Sequence, residues 1–103
     1  MKEYSPLTKA AVEYTRHLLA TQTKPFARQR VAIIQEFIDF FPEIKSPDDV
    51  YLSERAEYHE HLLVKYSAPF ATTKMRVLCA FWNWMRRKDY ASYNPFKALN
   101  PMY

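Results

Sequence analysis

Apolar residues recur at helical spacing in four stretches of this chain. Leu7, Ala11, Tyr14 and Leu18 are four, three and four residues apart, which places them on one face of a helix. That helix is predicted to open at Ser5-Pro6, a capping residue followed by Pro at the first helical position. Its pattern fades between Ala20 and Thr23. The second helix is predicted from Pro25 or Phe26 to Phe41. Val31, Ile34, Ile38 and Phe41 form its stripe, and Ile33, Phe37 and Phe40 widen it; Arg28, Gln35, Glu36 and Asp39 take the other side. Pro42 to Pro47 reads as a loop, and Ser46-Pro47-Asp48-Asp49 repeats the Ser-Pro start before a short turn over Asp48 to Tyr51. The third helix is predicted over Leu52 to Tyr66, with Tyr58, Leu62 and Tyr66 at four-residue steps and Leu63 beside them. Ser67-Ala68-Pro69 reads as a break. The fourth helix is predicted over Ala71 to Lys88, with Met75, Leu78, Trp82 and Met85 on one face and Phe81 and Trp84 broadening it. Asp89 to Tyr93 is a turn, Asn94-Pro95 ends the element, and Phe96 to Leu99 starts one more turn before Asn100-Pro101. The expected fold is an all-α, four-helix bundle.

Composition agrees with that reading. The 103 residues suit one domain, and a hydrophobic content of 49% is enough for a real core. Glycine is absent, where average usage of about 7% would supply roughly seven. Tight hairpins and Gly-rich phosphate loops are therefore disfavoured, and seven prolines punctuate helices instead. The single Cys79 lies in an apolar helical run, as expected of a core residue in a cytoplasmic protein. No apolar run approaches the roughly 20 residues of a membrane span, and Met-Lys-Glu-Tyr-Ser-Pro lacks the apolar stretch of a signal peptide. No membrane partner is expected.

The net charge of +4 conceals segregation. Residues 14 to 35 contain no acid and carry Arg16, Lys24, Arg28 and Arg30. Residues 36 to 60 hold eight acids against Lys45 and Arg55, for a net of −6. Residues 61 to 88 again lack acids and carry Lys65, Lys74, Arg76, Arg86, Arg87 and Lys88. Two acid-free basic blocks split by an acidic one predict one cationic and one anionic face. The second helix is basic early and acidic late, the reverse of what its macrodipole favours, which suits an anionic ligand at its start.

The basic helix starts are the leading functional candidates. Lys24, Arg28 and Arg30 open the second helix; Thr72, Thr73, Lys74 and Arg76 open the fourth. Hydroxyls, N–H groups and cations in a first turn can hold phosphate, so this pair of starts could straddle a DNA backbone. Arg86, Arg87 and Lys88 either contact phosphate or satisfy the helix C-terminus. His59-Glu60-His61 does not have the four-residue His spacing of a zinc helix, so no metal or cofactor is expected. Cys79 lies among apolar neighbours that disfavour a thiolate, and no nucleophile is activated. The chain itself is expected to have no catalytic residues. Phe81, Trp82 and Trp84 read as core rather than a base-stacking platform, with Trp84 left open.

Thr72/Thr73, Lys74, Arg76, Leu78, Phe81, Trp82 and Trp84, followed by Asn94-Pro95, resemble the N-terminal core-binding (SAM-like) domain of tyrosine recombinases and phage-type integrases. Gln35 to Phe41 is similar to that family's helix ending in Phe-x-x-Phe, and Ile44 to Val50 to its connector. The resemblance spans residues 5 to 100 and departs where Tyr90-Ala91-Ser92-Tyr93 lacks a Gly. It implies a SAM-like bundle that forms half of a clamp on double-stranded DNA, with the second and fourth helices facing the duplex. It also implies a separate catalytic domain carrying the nucleophilic Tyr, a role Tyr103 does not fill, and a full-length protein that oligomerises on DNA. Residues 1–99 would be the core-binding domain and 100–103 the start of a linker. Two alternatives stand beside it. One is a helical protein-interaction module that uses the acidic third helix, through Glu54, Glu57 and Glu60. The other is a stand-alone DNA-binding accessory factor of a mobile element.

Overall fold

The structure, a computed structural model, describes residues 4–97. Within them the chain is all-helical: α1 Pro6–Thr21, α2 Lys24–Phe40, a 3₁₀ turn Pro47–Asp49, α3 Leu52–Lys65 and α4 Ala68–Arg87. The predicted linker at 100–103 and the end of the expected turn at Leu99 lie outside the described residues.

Three starts share one device. The Oγ atoms of Ser5, Ser46 and Ser67 accept from the N–H groups of Thr8, Asp48 and Phe70 at 3.2, 3.3 and 3.4 Å. Each is followed by Pro in the first turn, where a missing N–H costs no intrahelical bond. The expected break between the third and fourth helices falls at Tyr66 and Ser67, and Ala68-Pro69 belongs instead to the first turn of α4. α3 begins differently, with the Glu54 carboxylate accepting from the Tyr51 N–H at 2.9 Å.

α4 is the central element. Met75, Leu78, Phe81, Trp82 and Met85 are buried with Leu7 and Leu18 of α1, Ile34 and Phe37 of α2, and Tyr58 and Leu62 of α3. Phe37 is the aromatic hub, with ring centroids of Tyr58, Trp82 and Phe96 at 4.9, 5.6 and 5.7 Å. α2 runs antiparallel to α4, since Glu36 late in α2 meets Lys74 early in α4, while Arg30 near the start of α2 lies by Asn83 and Arg87 near the end of α4. A radius of gyration of 13.2 Å matches the ~13 Å expected of one such domain.

α4 ends within a residue of the predicted Lys88, and Asn94-Pro95 is not what stops it. It ends at Arg87, with Lys88 as cap and Asp89 in the left-handed region at φ 61°. Asp89 N–H donates to Arg86 O at 3.1 Å and Tyr90 N–H to Met85 O at 2.8 Å, the paired bonds of a Schellman motif. The chain then folds back. The Ser92 N–H and hydroxyl both reach the Asp48 carboxylate at 2.7 Å, and the Tyr93 hydroxyl reaches Val50 O at 2.6 Å. Asn94 is buried against α4. Its amide therefore anchors the returning segment and plays no part in stopping the helix.

Candidate nucleic-acid interface

The antiparallel packing of α2 on α4 separates the two basic helix starts expected to act together. Lys24 and Arg28 belong to one end of the α2–α4 pair, whereas Thr72, Thr73, Lys74 and Arg76 belong to the other. α4 also begins at Ala68, so those four residues lie one to two turns inside the helix, away from its free N–H groups.

Their side chains are occupied locally. The Thr73 hydroxyl donates to Pro69 O at 3.1 Å, a bond within the helix. Thr72 is half-buried and Arg76 is exposed. Lys74 is only 7% exposed. Its Nζ lies 2.8 Å from Glu36 Oε1 and 4.6 and 5.0 Å from the ring centroids of Tyr66 and Phe70. The other Glu36 oxygen accepts from the Tyr66 hydroxyl at 2.7 Å and lies 3.5 Å from Lys65. Burial alone would raise the Glu36 carboxyl, but hydrogen bonds from Lys74 and Tyr66 outweigh it and hold the group below the ordinary carboxylate value. Lys74 is thus part of a clasp joining α2, α3 and α4. A phosphate would have to compete with Glu36 and two aromatic rings for it.

The cations at the other end are arranged differently. Asn83, Arg86, Arg87 and Lys97 line an open groove of about 400 Å³. A second groove of about 310 Å³ shares Asn83 and Arg87 and runs between the end of α1, the start of α2 and α4, where it takes in His17, Phe26 and Arg30. No carboxylate lines either one. Neither Arg86 nor Arg87 forms an ion pair with a described carboxylate, so both carry uncompensated charge.

Arg30 is half-buried and packs on an aromatic ring. Its guanidinium sits 4.4 Å above the Phe26 ring, and its charge acts on the Tyr14 hydroxyl. Burial pushes the Tyr14 phenol up, while the charges of Arg30 and Arg87 pull it back. Phe26 and Arg30 are four residues apart and share the face toward α4; Lys24 and Arg28 share the outer face and are exposed. Lys88 is exposed, with Nζ 5.8 Å from the Trp84 ring. Trp84, left open by the sequence, is buried against Tyr14, whose ring centroid is 5.0 Å away, so it offers no stacking surface.

Of the ten expected site residues, the structure therefore gathers Arg30, Arg86 and Arg87, leaves Lys24, Arg28 and Lys88 exposed, and turns Thr72, Thr73, Lys74 and Arg76 to the far end. Asn83, Lys97 and His17 join the grooves without having been singled out. Asn83 carried a signal, because it precedes Arg86 and Arg87 by three and four residues on one helical face. Lys97 carried none, since only the fold-back through Asn94 brings it there. The His61 ring stacks 4.4 Å from Phe40, and the described residues contain no group of three metal-ligating side chains. No described helix is long and apolar enough to cross a membrane. Comparison of the chain with protein-family models, with curated proteins and with solved structures returned no match.

Proposed function

We propose that this protein binds double-stranded DNA as a core-binding domain of the SAM-like, tyrosine-recombinase type, gripping the phosphate backbone through the paired grooves. The carrying observation is their lining: Arg30, Arg86, Arg87 and Lys97 around Asn83, with no carboxylate. Such a surface attracts a polyanion at long range and offers phosphate only donors at short range. The duplex would lie along the start of α2 and the end of α4, with Lys24, Arg28 and Lys88 at its margins. In the full-length protein this domain would hold the arm of a recombination site, in the cytoplasm, while a separate catalytic domain exchanges strands and protomers assemble on DNA.

An amide-shift titration with duplex DNA tests the reading. Arg30, Asn83, Arg86, Arg87 and Lys97 should move first, and Glu57 and Glu60 should not. Movement confined to α3, or none, refutes it.

One observation favours a second reading, the protein-interaction module. Val64 is 90% exposed and Leu63 is also exposed, beside Glu57 and Glu60 on the outer face of α3. Glu54 does not belong to that surface, because it caps α3. Reversing Glu57 and Glu60 to Lys would abolish binding of a basic partner there and spare DNA binding.

A further inference from the structure

Asn83 occupies the seam between the two basic grooves, and its orientation is imposed from behind. Asn94 is 5% exposed. Its Oδ1 accepts from the Phe96 N–H at 2.9 Å, and its Nδ2 donates to Cys79 O at 2.9 Å and to Asn83 Oδ1 at 3.0 Å. A backbone N–H can only donate and a carbonyl can only accept. A flipped Asn94 amide would set NH₂ against the Phe96 N–H and oxygen against the Cys79 carbonyl, so two backbone groups fix which way it faces. Its Nδ2 also reaches Cys79 Sγ at 3.6 Å, and a flipped Asn83 would set NH₂ against NH₂, so the Asn83 oxygen faces inward and its NH₂ turns away from Asn94. A surface asparagine held by no such bond exposes either end of its amide. Here one end is selected, and it is the donor.

We infer that Asn83 is a pre-oriented hydrogen-bond donor to a phosphodiester oxygen of duplex DNA, with Asn94 as its positioning residue. The inference rests on the DNA-binding reading above. A donor set among Arg30, Arg86, Arg87 and Lys97 complements a ligand that offers several acceptor oxygens and negative charge together, as a phosphodiester does. The amide adds direction to a site where the cations supply mainly attraction. Because it is neutral, it contributes affinity without releasing a counterion.

The test separates donor from scaffold. Asn83→Asp keeps an acceptor for Asn94 Nδ2 and replaces the outward donor by negative charge. Asn83→Ala removes both. Thermal melts and fluorescence-anisotropy titrations with two short duplexes of unrelated sequence would be run on each variant across a salt series. Asn83→Asp should melt close to wild type yet lose affinity by about 30-fold or more. Asn83→Ala should melt lower yet lose only about three- to tenfold, with an unchanged salt slope and equally on both duplexes. The Asn83 side-chain NH₂ resonance should also shift when duplex is added. Unchanged affinity for Asn83→Ala overturns the inference, as does an Asn83→Asp variant that binds as well as Asn83→Ala. A loss confined to one duplex overturns the phosphate assignment in favour of a base edge. If wild type shows no salt-dependent binding to either duplex, the DNA reading itself falls. If wild type binds, an Arg86/Arg87 variant weakens and Asn83→Ala does not, Asn83 alone was misassigned.

Discussion

Lys74→Met separates a structural lysine from a DNA-contacting one. The ammonium lies 2.8 Å from Glu36 Oε1, and the two side chains are 9% and 21% exposed. Removing one partner of a fully buried pair costs about 3–5 kcal/mol. Here the carboxylate keeps some solvent and the Tyr66 hydroxyl at 2.7 Å, while its remaining cation, Lys65, is half-exposed and 3.5 Å away. Met retains most of the apolar stem against Tyr66 and Phe70. The loss should therefore be about 2–3 kcal/mol, below the fully buried range. For a domain of this size that is roughly 10–20 °C in melting temperature. Urea unfolding followed by circular dichroism should show a lower midpoint with an unchanged slope. Adding Glu36→Gln should recover part of the loss, because the stranded charge is gone. Anisotropy with duplex DNA below the melting point should show little change in affinity. A Lys74→Met protein that melts within about 2 °C of wild type but binds DNA poorly refutes the reasoning and returns Lys74 to the phosphate-binding set.

Three further outcomes follow from single groups. Tyr58 is fully buried and its hydroxyl has no hydrogen-bond partner among the described residues. Tyr58→Phe should therefore be neutral or stabilising by up to about 1–2 kcal/mol, read from the denaturation midpoint; a loss of similar size would show that the hydroxyl is satisfied in solution. Asp89 holds a left-handed φ of 61° at a position that favours glycine, with its carboxylate at a helix C-terminus. Asp89→Gly should stabilise by about 0.5–1 kcal/mol in the same assay, and destabilisation would contradict the cap geometry. The Glu36 carboxyl is held below its ordinary value of 4.5, so its contribution is fully present above that pH and is lost as pH falls through the lower folded value. Wild type and Glu36→Gln should therefore converge in stability below about pH 4.5; a gap that stays constant to lower pH would contradict the clasp.

The apolar periodicity of α4 was fully legible, because Met75, Leu78, Trp82 and Met85 all face one core and all are buried. In α2 the buried set shifted, with Ile33 and Phe37 inside and Val31, Ile38 and Phe40 half-buried, since α4 presses on one edge of a broad stripe. Leu63 turned outward because Tyr58 and Leu62 already fill the α3 face toward the core. α4 starts three residues before the predicted Ala71, because Pro69 breaks a helix interior but suits a first turn. That small shift moved Thr72 to Arg76 out of the cap.

The larger gap concerned which charges meet. Charge blocks along the sequence marked Lys74, Arg76, Arg86 and Arg87 alike. Only the antiparallel crossing of α2 and α4 brings Glu36 to Lys74 and Arg30 to Arg87. The Asn94 relay was hidden for the same reason. Asn-Pro reads locally as a helix stop, and its bonds to Cys79 and Asn83 span 15 and 11 residues.

The most direct test of the central claim is the salt dependence of duplex binding, measured for wild type, Arg86→Gln/Arg87→Gln and Lys74→Gln/Arg76→Gln. If the DNA face is the pair of grooves, wild-type affinity falls steeply with salt. The Arg86/Arg87 variant then flattens the slope by up to about two, near 0.9 for each phosphate left without its arginine. The Lys74/Arg76 variant loses stability but keeps the wild-type slope. A slope that flattens with Lys74/Arg76 and is unchanged with Arg86/Arg87 contradicts the account and puts the DNA at the opposite end of α4.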